Sequence, residues 1–209
     1  MRGYRYIVVE GVIGVGKTTL VELLTKDFQA TSVLEIVEEN PFLVKGFYED
    51  MKNHAFNTEL FFLLSRFWQQ RKLSESLRSG SGMVISDYLF AKNRIFAELT
   101  LAGEELDIFD SVFRPLNDKV ERPDLIVYLR ADADSLMRRI HLRERSFERN
   151  MEREYIQKLV DRYDRFFTTY HSSQVMTIDA SEIDFVFNFR SYSKMKEQIG
   201  ETLKQEIRM

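Results

Sequence analysis

The sequence predicts an α/β fold: a doubly wound, five-stranded parallel sheet surrounded by helices, in one domain over residues 1–209. Three observations predict it. Short, widely spaced apolar runs alternate with helical patterns, an order that calls for parallel pairing with helices on both faces. The runs lack in–out alternation, as strands buried on both sides do. The first run leads through a glycine-rich turn straight into a helical pattern.

In chain order, Tyr6–Val9 is the first strand, and Leu20, Leu23 and Leu24 mark the helix after it. The second strand is expected over Val33–Val37, followed by a helix over Thr58–Leu77 and a third strand over Met83–Ser86. Helical spacing then fills Leu89–Leu101 and Leu106–Val120 before the fourth strand, Leu125–Leu129. Helices over Ser135–Leu142 and Arg153–Tyr170 precede a fifth strand at Val175–Ile178, and Tyr192–Ile207 closes the pattern. No internal repeat or low-complexity tract interrupts it. In such a sheet the chemistry belongs at the carboxyl ends of the strands.

The 209 residues suffice for one sizeable core. A net charge of −3 excludes a nucleic-acid polymer as a partner on charge grounds. The absence of cysteine excludes disulfides, a thiolate nucleophile and thiolate metal ligands. No apolar run is long enough to span a bilayer, and the segment carrying Arg2 and Arg5 lacks the apolar core of a signal peptide. A cytoplasmic location without membrane contact is therefore expected.

Gly11-Val12-Ile13-Gly14-Val15-Gly16-Lys17-Thr18, continued by Thr19, is a phosphate-binding loop in its required strand-to-helix setting. Its glycines free the backbone to turn N–H groups toward a phosphate, and the helix N-terminus adds partial positive charge. Lys17 is expected to reach the β- and γ-phosphates of ATP, and Thr18 to ligate Mg²⁺. The fold is thus P-loop kinase-like.

Acids just after strand ends become the next candidates. Glu35 and Asp87 suit the two carboxylate tasks of a kinase, which are to orient and deprotonate an attacking hydroxyl and to help hold Mg²⁺. Glu38 competes with Glu35, because a one-turn shift in the loop exchanges them. The basic segment from Arg138 to Arg149 reads as a lid, about residues 139–153, with Arg139 and Arg143 on one helix face to stabilise a transferring phosphoryl group.

The ordered set resembles the deoxynucleoside kinases, closest to the bacterial deoxyguanosine/deoxyadenosine kinase branch. It comprises the phosphate loop, Glu35-Ile36-Val37-Glu38-Glu39-Asn40-Pro41, Phe61-Phe62-Leu63-Leu64-Ser65-Arg66, Ser86-Asp87-Tyr88, Lys92-Asn93-Arg94 and Arg139-Ile140-His141-Leu142-Arg143-Glu144-Arg145. The resemblance covers nearly the whole chain. It implies that Glu35 and Asp87 act as base and metal-linked acid, and that Tyr48 and Glu148 hold the sugar 3′-hydroxyl. It further implies that Glu59 and Arg66 face the base, with Tyr88 and Asn93 in the substrate site. Arg139, Arg143 and Arg145 become the lid arginines, and Ser181–Phe185 lies under the adenine of ATP. It also implies a homodimer. Two departures stand out: Tyr88 replaces the family's arginine beside Asp87, and Glu144 replaces a glycine between the lid arginines.

Many members of the family carry Gln where this chain has Glu59. An ionised carboxylate offers acceptors only. Guanine presents N1–H and N2–H₂ side by side, whereas adenine opposes one acceptor with another. The reading is transfer of the ATP γ-phosphoryl to the 5′-hydroxyl of a purine deoxynucleoside, deoxyguanosine favoured. A deoxyadenosine/deoxycytidine kinase, or a non-catalytic nucleotide-binding subunit paired with an active relative, are the alternatives. A nucleoside-monophosphate kinase fits less well, since Glu35 and Glu59 would repel an anionic acceptor. A switch GTPase would carry Asn-Lys-x-Asp and Asp-x-x-Gly motifs, which are absent.

Overall fold

A computed structural model describes residues 5–44, 46–80, 82–181, 183 and 188–205. Among these, five strands form one parallel sheet: β1 (Tyr6–Gly11), β2 (Thr31–Val33), β3 (Val84–Ser86), β4 (Leu125–Arg130) and β5 (Gln174–Asp179), in the order β2-β3-β1-β4-β5. β1 is central, with Tyr6 in register with Val84 on one side and Ile7 with Leu125 on the other. Every residue of β1 is buried. Ile7 and Val9 belong to one apolar cluster and Tyr6 and Val8 to another, because successive side chains leave opposite faces of a strand.

The larger cluster packs Leu20, Val21 and Leu24 of α1 (Lys17–Phe28) with residues of α6 (Ala133–Arg143), α7 (Arg153–Thr169) and α8 (Phe189–Gln205). On the other face Leu73 of α3 (Met51–Ser79) meets Tyr6, Val8 and Ile126. A third cluster joins α3 to α2 (Pro41–Val44), α4 (Lys92–Thr100) and α5 (Glu104–Asn117), with Phe90, Phe109 and Phe113 stacked in sequence.

Two elements differ from the sequence expectation. β2 occupies Thr31–Val33 rather than Val33–Val37, because its partner β3 ends at Ser86. Past that point the Glu35 N–H donates to the Asp87 carboxylate, and Gln69 of α3 holds the Leu34 carbonyl, so Leu34–Val37 leaves the ladder. α3 starts at Met51, seven residues before the expected Thr58, where Asp50 caps it by accepting from the Asn53 N–H. Residues 206 and 207 at the end of the expected last helix lie outside the described residues, as does most of the expected segment Ser181–Phe185, of which Ser181 and Ile183 are described.

Asn40 and Pro41 start α2 as a cap and first-turn pair, with Asn40 Oδ1 accepting from the N–H groups of Phe42 and Leu43. The Asn40 amide also donates to the Thr58 carbonyl, which fixes the segment after Glu35 against α3. Gly11 lets β1 turn into the phosphate loop while lying against β4. A Cβ built on it would sit 2.4 Å from the Leu129 carbonyl oxygen, and backbone in a central strand cannot yield. Gly11→Ala should therefore destabilise the protein by about 1–3 kcal/mol, read as a lower urea midpoint at unchanged m-value. A midpoint equal to wild type would contradict this packing.

Candidate active site

The carboxyl ends of β1, β2 and β3 open into a cleft walled by α3, α4 and the segment after α6. Ile13, Gly14, Lys17 and Thr18 of the phosphate loop form its floor. Gly14 and Gly16 hold φ of +84° and +99°, which only glycine adopts at little cost. Val12 and Val15 turn their side chains into the core, and Thr19 follows on the first turn of α1. Lys17 Nζ lies over this loop, donating to the carbonyls of Gly11 at 2.8 Å and Val12 at 3.2 Å. Burial, reinforced by the neighbouring Lys92 charge, lowers its pKa to about 8.

Asp87 organises the turn after β3. Its carboxylate accepts from Thr18 Oγ1 at 2.6 Å and from the Glu35 N–H at 2.7 Å. A hydroxyl and a carboxylate beside a phosphate loop match the sparse protein ligation of Mg²⁺, which keeps waters and phosphate oxygens as its other ligands. No group of three or more His, Asp or Glu side chains suited to an all-protein metal cage occurs among the described residues. The donor set thus fits Mg²⁺ brought with a polyphosphate.

Glu35 is held on both oxygens. Arg66 donates to Oε1, and Lys92 Nζ donates to Oε2 at 2.9 Å. Burial alone would raise the Glu35 pKa, but Arg66, Lys92 and Lys17 outweigh it and hold the carboxyl well below the usual range. Arg66 is buried, sits over the Phe62 ring and also donates to Asn93 Oδ1. Glu38, the competitor of Glu35, is exposed and faces Arg145 at 3.8 Å.

Glu59, 2% exposed, lines the same cleft and accepts from Thr100 Oγ1 at 3.1 Å. Burial raises its pKa to about 7 in spite of Arg66 and Lys92. On the lid side Glu148 is buried and accepts from Arg143 Nη2 at 2.6 and 2.7 Å, while Arg145 stands 3.9 Å away. Tyr48 lines the cleft beside them, its phenol driven up by burial and then by the Glu148 charge.

The sequence candidates divide on this geometry. Lys17, Thr18, Glu35, Tyr48, Glu59, Arg66, Asp87, Arg143, Arg145 and Glu148 converge on the cleft. Tyr88 does not: it is fully buried behind the wall, where its carbonyl accepts from Ser86 Oγ and its hydroxyl approaches the Arg66 carbonyl. Asn93 likewise sits behind the wall and supports Arg66. Arg139 is held by the carbonyls of Ala180, Ser181 and Ile183 beyond β5, away from the cleft lining. Glu144, the departure from glycine, caps α6 with φ +54°, a conformation glycine adopts more cheaply.

Two residues escaped the sequence reading. Lys92 carries the second cation on Glu35. Glu10, fully buried in β1, accepts from the Gly11 N–H, the Leu89 N–H and the Tyr163 hydroxyl, tying the phosphate loop to the turn after Asp87 and to α7. A lone acid in an otherwise apolar strand was the available signal for Glu10.

Comparison with known proteins follows this geometry. The model of the deoxynucleoside kinase family matches residues 7–204. A deoxyguanosine kinase of Bacillus subtilis is 34% identical over 202 residues, covering 95% of this chain and 97% of that protein. A deoxyadenosine/deoxycytidine kinase of the same organism is 28% identical over 204 residues, covering 94% and 92%. The structure of a deoxyadenosine kinase from M. mycoides with bound dATP superposes with a TM-score of 0.81 at 21% identity, covering 94% of this chain and 100% of that one, which shows the shared fold.

Removing one partner of a buried ion pair strands the other. Glu35→Leu should strand both Arg66 and Lys92 and cost about 3 kcal/mol of stability, measured by urea unfolding. A loss below about 1 kcal/mol, the range of an exposed pair, would contradict the buried pairing.

Proposed function

The chain belongs to the deoxynucleoside kinase family, and on that premise we propose that it transfers the γ-phosphoryl of ATP to the 5′-hydroxyl of a purine deoxynucleoside, with deoxyguanosine preferred. The observation that carries this reading is the pairing of a phosphate loop with Glu35, an ionised carboxylate held at the opposite wall of the same cleft. Lys17 and the loop N–H groups would hold the triphosphate. Thr18 and Asp87 would hold Mg²⁺, which neutralises charge on the β- and γ-oxygens when bound. Arg143 and Arg145 approach from the lid side, and Arg139 would order the segment beyond β5.

A strongly acidic carboxylate is compatible with this chemistry. Phosphoryl transfer passes through a loose transition state that needs little nucleophilic push. Glu35 therefore has mainly to orient the hydroxyl and to take its proton late. Tyr48 and Glu148 would hold the sugar at the lid side, and Glu59 and Arg66 would face the base. Tyr88 and Asn93 would contribute by supporting that wall. The exposed pair Leu64 and Trp68, one turn apart on α3, supports a homodimer. No described helix is long and apolar enough to cross a membrane.

The test is an assay of the purified chain with Mg-ATP and each common deoxynucleoside. Monophosphate should form fastest from deoxyguanosine; no turnover with any of them would overturn the reading. Glu35→Gln keeps shape but removes the charge. It should lower kcat by about a hundredfold or more and leave ATP affinity near wild type; an unchanged kcat would move the base to Asp87.

Glu59 sets the base preference through its protonation. Ionised, it offers two acceptors to N1–H and N2–H₂ of guanine. Protonated, it offers one donor and one acceptor, the pattern adenine needs. With a pKa of about 7, the carboxyl loses its proton as pH rises through neutrality. The deoxyguanosine-to-deoxyadenosine ratio of kcat/KM should therefore rise by about ten- to a hundredfold between pH 6 and pH 8. Glu59→Gln should abolish that pH dependence and cut the ratio by about five- to a hundredfold, the range of one mismatched buried hydrogen bond. A pH-independent wild-type ratio, or one unmoved by Glu59→Gln, would remove Glu59 from base recognition.

A further inference from the structure

We propose that Lys92 is a catalytic residue of the proposed reaction: its ammonium leaves Glu35 for the transferring phosphoryl group and then holds the phosphate of the nucleoside 5′-monophosphate. The proposal rests on the kinase reading above. Arg66 already pairs with Glu35, yet Lys92, 3% exposed, donates to the other oxygen of the same carboxylate. Two buried cations thus share one carboxylate, with Asp87, Glu59 and Glu148 the other buried acids of the cleft, and a buried cation is costly unless an anion answers it closely.

A purely structural purpose does not account for Lys92. An ammonium has three donors, and among the described residues Glu35 is its one hydrogen-bond acceptor. It also lies over the Phe96 ring, 5.5 Å from the centroid, a cation–π contact that supplies no negative charge. It is also the first residue of α4, the end of a helix where a cation is least favourable. These costs make sense where an anion arrives during the reaction.

Position supplies the second argument. Lys92 lines the cleft between the phosphate loop and the base wall. It lowers the pKa of Lys17 through space, and Lys17 in turn stabilises ionised Glu35, so the three groups are mutual neighbours. A γ-phosphoryl held by Lys17 and attacked by a hydroxyl on Glu35 Oε2 passes beside Nζ, which lies 2.9 Å from that oxygen. Position 88 supplies no cation to this spot, since it is Tyr88, buried behind the wall. Lys92 reaches the spot from α4 instead.

In the step, the 5′-oxygen forms a bond to Pγ while the bond from Pγ to the β,γ-bridging oxygen breaks. ADP leaves with that electron pair, and the hydroxyl proton passes to Glu35. Neutralising Glu35 frees Lys92 to follow the negative charge onto the new phosphate monoester. Asp87, Glu59, Glu148, Arg66, Arg143, Arg145 and Lys17 are the other charged groups lining the cleft; Lys92 is the cation that already touches Glu35 Oε2, the oxygen from which the hydroxyl attacks.

The test compares wild type with Lys92→Met and Lys92→Arg. Lys92→Met should lower kcat by about a hundredfold, as for loss of one preorganised electrostatic donor. It should leave the Kd of deoxyguanosine within about threefold and weaken deoxyguanosine 5′-monophosphate by about tenfold or more. Lys92→Arg should restore kcat to within about tenfold of wild type. Equal weakening of nucleoside and monophosphate would reduce Lys92 to a structural partner of Glu35 and overturn the proposal, as would an unchanged kcat. Should Lys92→Met not fold, a structure of the wild-type protein with the monophosphate decides. Nζ within about 3.2 Å of a phosphate oxygen supports the proposal, and Nζ still on Glu35 alone overturns it. Wild-type turnover separates the two levels: an inactive wild type fails the kinase reading, whereas an active wild type with an indifferent Lys92 fails only this one.

Discussion

The cleft depends on one buried carboxylate and the two cations that keep it ionised. Glu35 comes from the segment after β2, Arg66 from the middle of α3 and Lys92 from the start of α4. Desolvation would otherwise neutralise Glu35, and a neutral acid could not accept the proton of a hydroxyl. The same contacts close three elements around the site. Leu34–Val37 abandons the sheet because its polar groups are taken by Asp87 and Gln69 rather than by a neighbouring strand. The wall behind is tied in by Asn93 and by the buried Tyr88.

Two acids in one cleft thus meet opposite fates. Glu35 faces two cations and is driven down, while Glu59, the more buried of the two, faces Thr100 and more distant charge and is driven up to about 7. Environments that push two like groups apart assign them different work. One carboxylate stays charged across the physiological range, suited to handling a hydroxyl. The other changes its hydrogen-bonding pattern near neutrality, suited to a base edge. The polarity follows from where the arginine forks: its NE and one terminal nitrogen go to Glu35, and the other goes to Asn93.

Much of this was legible in the sequence, for reasons that are local. The loop from Gly11 to Thr18 encodes its own conformation, and β1 and β4 are apolar runs whose burial follows from composition, whereas β5 at the sheet edge buries only Ile178. Asp87 and Glu35 follow from the rule that chemistry gathers at the carboxyl ends of parallel strands. What was not legible depends on partners distant in the chain. The apolar look of Val33–Val37 suggested a strand there, but pairing ends where β3 ends, a limit set fifty residues later. The early start of α3 rests on a single Asp50 cap ahead of a stretch with little periodicity. Tyr88 sits beside Asp87 in sequence yet lies behind the wall, since the chain bends at Asp87 and the Tyr88 side chain packs into the interior instead of the cleft. Lys92 stood in a segment that carries the family resemblance but was given no role of its own, and only tertiary packing brings its ammonium to Glu35.

The most direct measurement is a ¹³C NMR titration of the side-chain carboxyls in the ligand-free protein, with Glu35→Gln and Glu59→Gln used to assign the two resonances. The account predicts that Glu35 remains ionised from pH 8 down to pH 4, while Glu59 titrates near pH 7. A Glu35 carboxyl that takes up its proton at or above the ordinary glutamate range would contradict the paired-cation architecture on which the site is built.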